Sequence, residues 1–193
     1  PNDTHVEFAK KAISKNCHVI IDKPFSPSLK ESKELLNLAS ERGVKISAFH
    51  NRRFDGDFLT IKKLIKDKKL GDIKLFNSCF NRMRPKANLD NWREVTSIAG
   101  GIFYDLGPHL IDQALNLFGT PNELFLSLDS MRENATNDDY FKVQLFYSDK
   151  KIELNAHCFN AQPKLRFEVM GDRASYIKYE MDPQESELQE NKA

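Results

Sequence analysis

The chain has little of what would mark a nucleic-acid or membrane protein. Its 29 basic and 28 acidic residues leave a formal net charge of +1, so no broad field draws it to a phosphate backbone or an anionic bilayer, and neither partner is expected. No apolar run approaches the roughly 20 residues that a membrane helix needs. Cysteine is scarce, odd in number and scattered, at Cys17, Cys79 and Cys158. Each lies in an apolar, strand-like stretch, which predicts buried thiols in a reducing cytoplasm rather than disulfides. Cys and His do not recur at the short spacing of a zinc site, so no metal centre is expected. An initiator Met is missing too. The chain opens abruptly on Pro1-Asn2-Asp3-Thr4, as a stretch from within a longer protein would. What is there is 40% hydrophobic and 30% charged over 193 residues, the balance of an ordinary globular protein with room for one large domain or two small ones.

Periodicity divides the chain near residue 50. Thr4 and Glu7 have the capping-box pattern, and Val6, Ala9 and Ile13 follow at helical spacing. Cys17 to Ile21 is short, apolar and β-branched, a buried strand stopped by Asp22-Lys23-Pro24. Ser28 with Glu31 starts a second helix, whose face is Ser32, Leu35, Leu36 and Ala39 and whose stop is Gly43. Val44 to Phe49 is apolar again, and strand, helix, strand at these lengths predicts parallel pairing. Phe54, Phe58, Ile61 and Ile65 then line a helix that ends before Gly71.

Beyond Gly71 a period of two takes over. Ile73 to Phe80 is a strand. Leu124, Leu126 and Leu128 alternate, as do Phe141, Val143, Leu145 and Tyr147. Ile152, Leu154, Ala156 and Cys158 repeat the pattern, then Leu165, Phe167 and Val169, before a turn at Gly171-Asp172 into Ser175 to Tyr179. One long helix, Gly101 to Phe118, interrupts them. Strands joined by short polar turns predict a mainly antiparallel sheet with one face covered. Residues 182 to 193 are polar and expected either to fray or to be cut short of further structure.

Two segments carry chemistry. Asp22-Lys23-Pro24 sits at the carboxyl end of a parallel strand, where open α/β sheets bind their ligands. Taken alone, a lysine in such a loop is more often merely solvated. The second segment runs from Gly100-Gly101 to Asp112. Asp105, His109 and Asp112 stand four and three apart, on one side of a helix. An imidazole there titrates near neutrality, and carboxylates beside it are expected to raise its pKa and orient it. Pro108, inside the same helix, removes a backbone donor. Read alone, this too fits a solvated stripe.

In this order and at this separation, the segments resemble the Gfo/Idh/MocA oxidoreductases, named for glucose–fructose oxidoreductase and inositol dehydrogenase. The likeness starts at Pro1-Asn2-x-x-His5 and passes through His18-Val19, Asp22-Lys23-Pro24 and Asn51-Arg52-Arg53-Phe54. It continues through Leu70-Gly71-Asp72-Ile73, Trp92-Arg93 and Asp105-x-x-x-His109-x-x-Asp112 to near Gly171. Asp22 departs from the family's usual Glu but keeps its charge.

The resemblance implies an α/β protein. Residues 1–49 would be the C-terminal part of a Rossmann domain. Residues 50–193 would form an α+β domain with a large open, mainly antiparallel sheet, a natural surface for a homodimer or tetramer. The family's glycine-rich phosphate loop would precede Pro1, and further strands would follow Ala193.

The implied activity is NAD- or NADP-dependent oxidation of a sugar, inositol or related polyol. Lys23, His109 and Asp105 would be catalytic, with His109 as general base. Asp112, Arg52, Trp92 and Arg93 would meet the substrate; Asn2, His5, Lys23 and Pro24 would meet the cofactor. Non-catalytic relatives that bind dinucleotide as regulators, and a bare oligomerisation role, are the other two readings.

Overall fold

Val6, Ala9 and Ile13 recur at steps of three and four, so a helix stacks them on one side, and α1 (His5–Ser14) buries all three. The structure, a computed structural model, describes residues 2–91, 94–95 and 98–190. A short 3₁₀ turn, Asn2–Thr4, runs straight into α1. Thr4 therefore keeps helical angles and its side chain makes no cap bond, and Glu7 pairs with Lys11 instead of reaching back. The capping box expected at this point does not form.

β1 (Val19–Asp22) and β2 (Ile46–Phe49) pair in parallel, with Val19 opposite Ile46 and Asp22 opposite Phe49. The crossover is α2 (Leu29–Glu41), whose Ser28 side chain accepts a hydrogen bond from the Glu31 amide. Both strands begin two residues later than their apolar runs. Cys17 consequently lies in the loop before β1 and is exposed, against the expectation of a buried thiol. On α2, Leu35 and Ala39 are buried while Leu36 faces solvent. Val6, Ala9, Ile13, Ile21, Leu35 and Ala39 close one small apolar cluster.

Asn51–Phe54 forms a second 3₁₀ turn, which leaves Phe54 exposed rather than on the helix that follows, α3 (Gly56–Lys66). Six strands come after it: β3 (Ile73–Cys79), β4 (Glu123–Asp129), β5 (Tyr140–Phe146), β6 (Lys151–His157), β7 (Leu165–Gly171) and β8 (Ser175–Tyr179). Their order is β4-β5-β6-β3-β7-β8. β3 runs parallel to β6, and every other neighbouring pair is antiparallel.

Alternation puts Phe76, Phe141, Val143, Ile152, Leu154 and Val169 on one face. α4 (Gly101–Phe118) covers it with Leu106, Leu110 and Ala114, and α3 adds Phe58 and Ile61. Each such fully buried side chain contributes about 1.5–3 kcal/mol relative to exposure, so this larger cluster supplies most of the cohesion. The opposite face is laced with polar contacts. Lys142 pairs with Glu153 at 2.9 Å, and Asn77 donates to Glu168 at 2.6 Å.

Three departures from the sequence expectations stand out. Leu124, Leu126 and Leu128 share the helix-covered face yet stay exposed, Leu124 at 66%. β4 is the sheet edge, and α4 lies over β6 and β5 instead. At β7 the register shifts between Leu165 and Phe167. The bulge turns Arg166 inward beside Phe167, so a residue that simple alternation would leave outside is 1% exposed. Finally, the polar tail does not simply fray, because Gln184–Gln189 forms α5. Asp182 accepts hydrogen bonds from the amides of Gln184 and Asp57, which ties the tail to the start of α3. Among the described residues no helix is long and apolar enough to cross a membrane.

Candidate active site

The chemistry-bearing helix is placed by its first turn. Gly101 has φ +87°, and a Cβ there would lie 2.1 Å from Asp138 Oδ1. The glycine therefore gives both the backbone angle and the space for Asp138 to reach the N-terminus of α4. The Asp138 carboxylate accepts from the Phe103 amide at 2.6 Å and its carbonyl accepts from the Ile102 amide at 2.9 Å. Burial pushes the Asp138 carboxyl pKa up. The sequence reading missed this cap, because nothing in the spacing links residue 138 to residue 101.

So anchored, α4 presents Asp105 and His109 to the carboxyl end of β1. Lys23 Nζ donates to Asp105 Oδ1 at 2.8 Å and to the Asp105 backbone carbonyl at 2.7 Å. Pro108, inside the same helix, has no N–H to give to the Tyr104 carbonyl four residues back. Arg82 Nη1 stands 3.7 Å from Asp105 Oδ2. The carboxylate thus faces two cations, and burial holds the Arg82 pKa below its ordinary value.

His109 is 6% exposed, and its Nδ1 has no hydrogen-bond partner among the described residues. Burial first, then the charges of Lys23 and Arg52, lower its pKa to about 3, outweighing the opposite pull of Asp105. The expectation that neighbouring carboxylates would raise it is corrected. The imidazole is neutral throughout the physiological range. Phe80 stands beside it, ring centroids 6.4 Å apart.

Lys23, Asp105, His109, Arg52 and Phe80 line one cleft of about 700 Å³, to which Glu180 and Asp182 from the tail also contribute. Asn2 and His5 lie on the adjoining segment. His5 Nδ1 donates to the Pro24 carbonyl at 2.9 Å, and Asn2 donates to the Ala99 carbonyl at 2.8 Å.

Asp112 is held apart. It shares the helix side of Asp105 but sits two turns on, about 10 Å along the axis. Arg53 clamps it through two hydrogen bonds of 2.7 and 2.5 Å, and His50 Nε2 lies 3.7 Å away. Together with His50, Pro24 and Tyr104 it borders a separate hollow. Trp92 and Arg93 lie outside the described residues.

Comparison with known proteins bears on the family and the fold. Residues 1–50 match the oxidoreductase family's NAD-binding Rossmann fold, and residues 62–192 match the same family's C-terminal alpha/beta domain. The uncharacterized oxidoreductase YdgJ of Escherichia coli is 44% identical over 188 residues, covering 97% of this chain and 54% of its own. The scyllo-inositol 2-dehydrogenase (NADP(+)) IolW of Bacillus subtilis is 39% identical over 188 residues, covering 97% and 52%. Among solved structures, the oxidoreductase yvaA of Bacillus subtilis superposes with a TM-score of 0.92 at 37% identity, covering 99% of this chain and 54% of that one. The chain spans about half the length of these relatives. On the match of both family domains in sequence order, and of the fold that carries them, the chain belongs to the Gfo/Idh/MocA family of NAD-binding oxidoreductases.

Proposed function

We propose that the whole protein oxidises a hydroxyl of a sugar, inositol or related polyol, reversibly, with NAD or NADP. One observation carries the reading. Lys23 from the end of β1 meets Asp105 and His109 from α4 in a single cleft, with the histidine held uncharged. An open cleft lined by an ammonium and a buried imidazole with an unpartnered nitrogen fits the nicotinamide end of a dinucleotide and the carbinol beside it. When bound, that cofactor supplies the hydride acceptor.

The chain's own residues supply geometry and proton transfer. A neutral His109 is ready to take the hydroxyl proton, which a charged one could not. Lys23 places positive charge where the substrate oxygen becomes alkoxide-like, and Asp105 fixes that ammonium. Arg52 borders the same space, His5 holds the Pro24 carbonyl next to Lys23, and in this reading Asn2, His5 and Pro24 approach the cofactor while Asp112 acts by holding the loop at Arg53.

The relative named as a scyllo-inositol 2-dehydrogenase supports a cyclic polyol as substrate. The separate apolar clusters support a domain boundary at residues 49/50, and the buried free thiols Cys79 and Cys158 suit a cytoplasmic setting. Turnover of an inositol and sugar panel by the whole protein, read as NADH or NADPH absorbance, tests the reading. No reduction of either dinucleotide by any polyol would overturn it.

A further inference from the structure

The buried cation at position 166 has no place in the chemistry above, yet it is tied to two parts of the cleft wall, Phe80 directly and the Arg52 loop through Gln113. The β7 bulge drives the Arg166 side chain between two aromatic rings. Its guanidinium carbon lies 4.1 Å from the Phe80 ring centroid and 3.9 Å from that of Phe167. Arg166 Nη1 donates to Ser78 Oγ at 2.7 Å, and Nη2 donates to Gln113 Oε1 at 3.0 Å. Gln113 is itself fully buried and passes the chain on, its Nε2 donating to the Arg52 carbonyl at 2.8 Å. One side chain on β7 thereby grips β3, α4 and the loop that carries Arg52.

The arrangement is costly for the fold. Arg166 Nε has no partner among the described residues, and neither do the carboxylate oxygens of Asp57, the largest charge influence on it. Two buried opposite charges left without a direct contact are often no more stable than well-packed apolar residues. Its position suggests what it does instead. Gln113 stands one turn beyond His109 on the same side of α4, so fixing both ends of its amide fixes how the helix is rotated about its axis. Phe80, pressed by the guanidinium on one side, forms the wall against the His109 ring on the other.

We propose that Arg166 is a positioning residue for the reaction: through Gln113, the Arg52 carbonyl and Phe80, it holds His109 in the orientation that faces Lys23. The proposal rests on the polyol-oxidation reading. Lysine at 166 would keep the charge beside Asp57 but lose the planar fork that reaches Ser78 and Gln113 together.

The test uses the whole protein with Arg166→Lys, Arg166→Met and Gln113→Leu. The expected result is a kcat lower by roughly 10- to 100-fold in all three, with dinucleotide affinity changed less than about threefold. Lys should recover thermal stability but not kcat. Recovery of both by Lys, or an unchanged kcat in Gln113→Leu, would make Arg166 a plain structural ion and overturn the proposal. Should Arg166→Met not fold, Arg166→Lys and Gln113→Leu still decide it.

A second readout needs no turnover. The rate at which diethyl pyrocarbonate modifies His109, mapped by peptide mass, should rise at least fivefold in Gln113→Leu while His18 and His157 react as before. An unchanged His109 rate sinks the positioning role, whereas a wild-type protein inactive on every polyol counts against the reaction alone.

Discussion

The ammonium of Lys23 lies within 2.8 Å of both the backbone carbonyl and the carboxylate of Asp105, although 82 positions separate the two residues. This contact joins the end of β1 to the helix that carries His109, so each half of the chain supplies one part of the cleft. Both partners are largely shielded, with side-chain exposures of 18% and 22%. Charge in such a site acts more strongly than it would in bulk water.

That pairing sets the first prediction, for the whole protein. Lys23→Met and His109→Ala should each lower kcat by roughly two to four powers of ten with little change in dinucleotide affinity. Both act on one substrate hydroxyl, so the double variant should lose much less than the product of the single losses. Steady-state kinetics on an accepted polyol, with dinucleotide binding measured separately, decides the matter. A His109→Ala enzyme with normal turnover would remove the general base.

A second prediction concerns acid. His109 has a folded-state pKa of about 3 against an ordinary 6.5, so the unfolded chain binds a proton that the folded one refuses. Stability is therefore intact above about pH 6.5 and falls as pH drops toward 3, by at most about 1.4 kcal/mol per pH unit for this one group. Burial lowers the His50 and His157 pKa values in the same sense, while it raises those of Asp55, Asp57 and Asp138, which oppose them. Comparing urea unfolding of wild type and His109→Gln at pH 7 and pH 4 isolates the histidine. The variant should lose less on acidification; equal losses would mean His109 is not desolvated.

The first turn of α4 is a third point of test. Gly101→Ala sets a Cβ against the Asp138 carboxylate at a backbone angle that L residues avoid, and should cost about 2–4 kcal/mol. Denaturant unfolding measures it. A loss below about 0.5 kcal/mol would show that Asp138 yields easily and does not cap the helix.

The open face of the six-stranded sheet gives the fourth. Phe146 lies on the register opposite the buried Leu145, and Phe159 beyond β6 is exposed. Self-association through this face should be visible by sedimentation of the whole protein and should weaken at least tenfold in Phe146→Glu. A monomer at high concentration, or a dimer indifferent to the substitution, would direct attention to another surface.

How much of this the sequence determined by itself follows from range. Local patterns settle local structure: the helix over Gly101–Phe118 and the alternation of Phe141, Val143 and Leu145 were legible because side-chain period and turn chemistry act within a few residues. Motif order marked Lys23, Asp105 and His109. Spacing alone was silent on long-range compensation.

The Asp138 cap joins residues 35 apart, and the Thr4 cap failed because the 3₁₀ turn that runs into α1 holds Thr4 at helical angles. Arg166 reads as an outward residue of an alternating strand until a bulge, set by pairing with β8, turns it into the core. Asp112 shares its helix side with His109, yet the fold brings Arg53 to it before the cleft can. The histidine's charge state reversed for the same reason. Sequence put carboxylates beside it, whereas burial and two cations from elsewhere in the chain decided the balance, because desolvation exists only once the tertiary fold has closed around the ring.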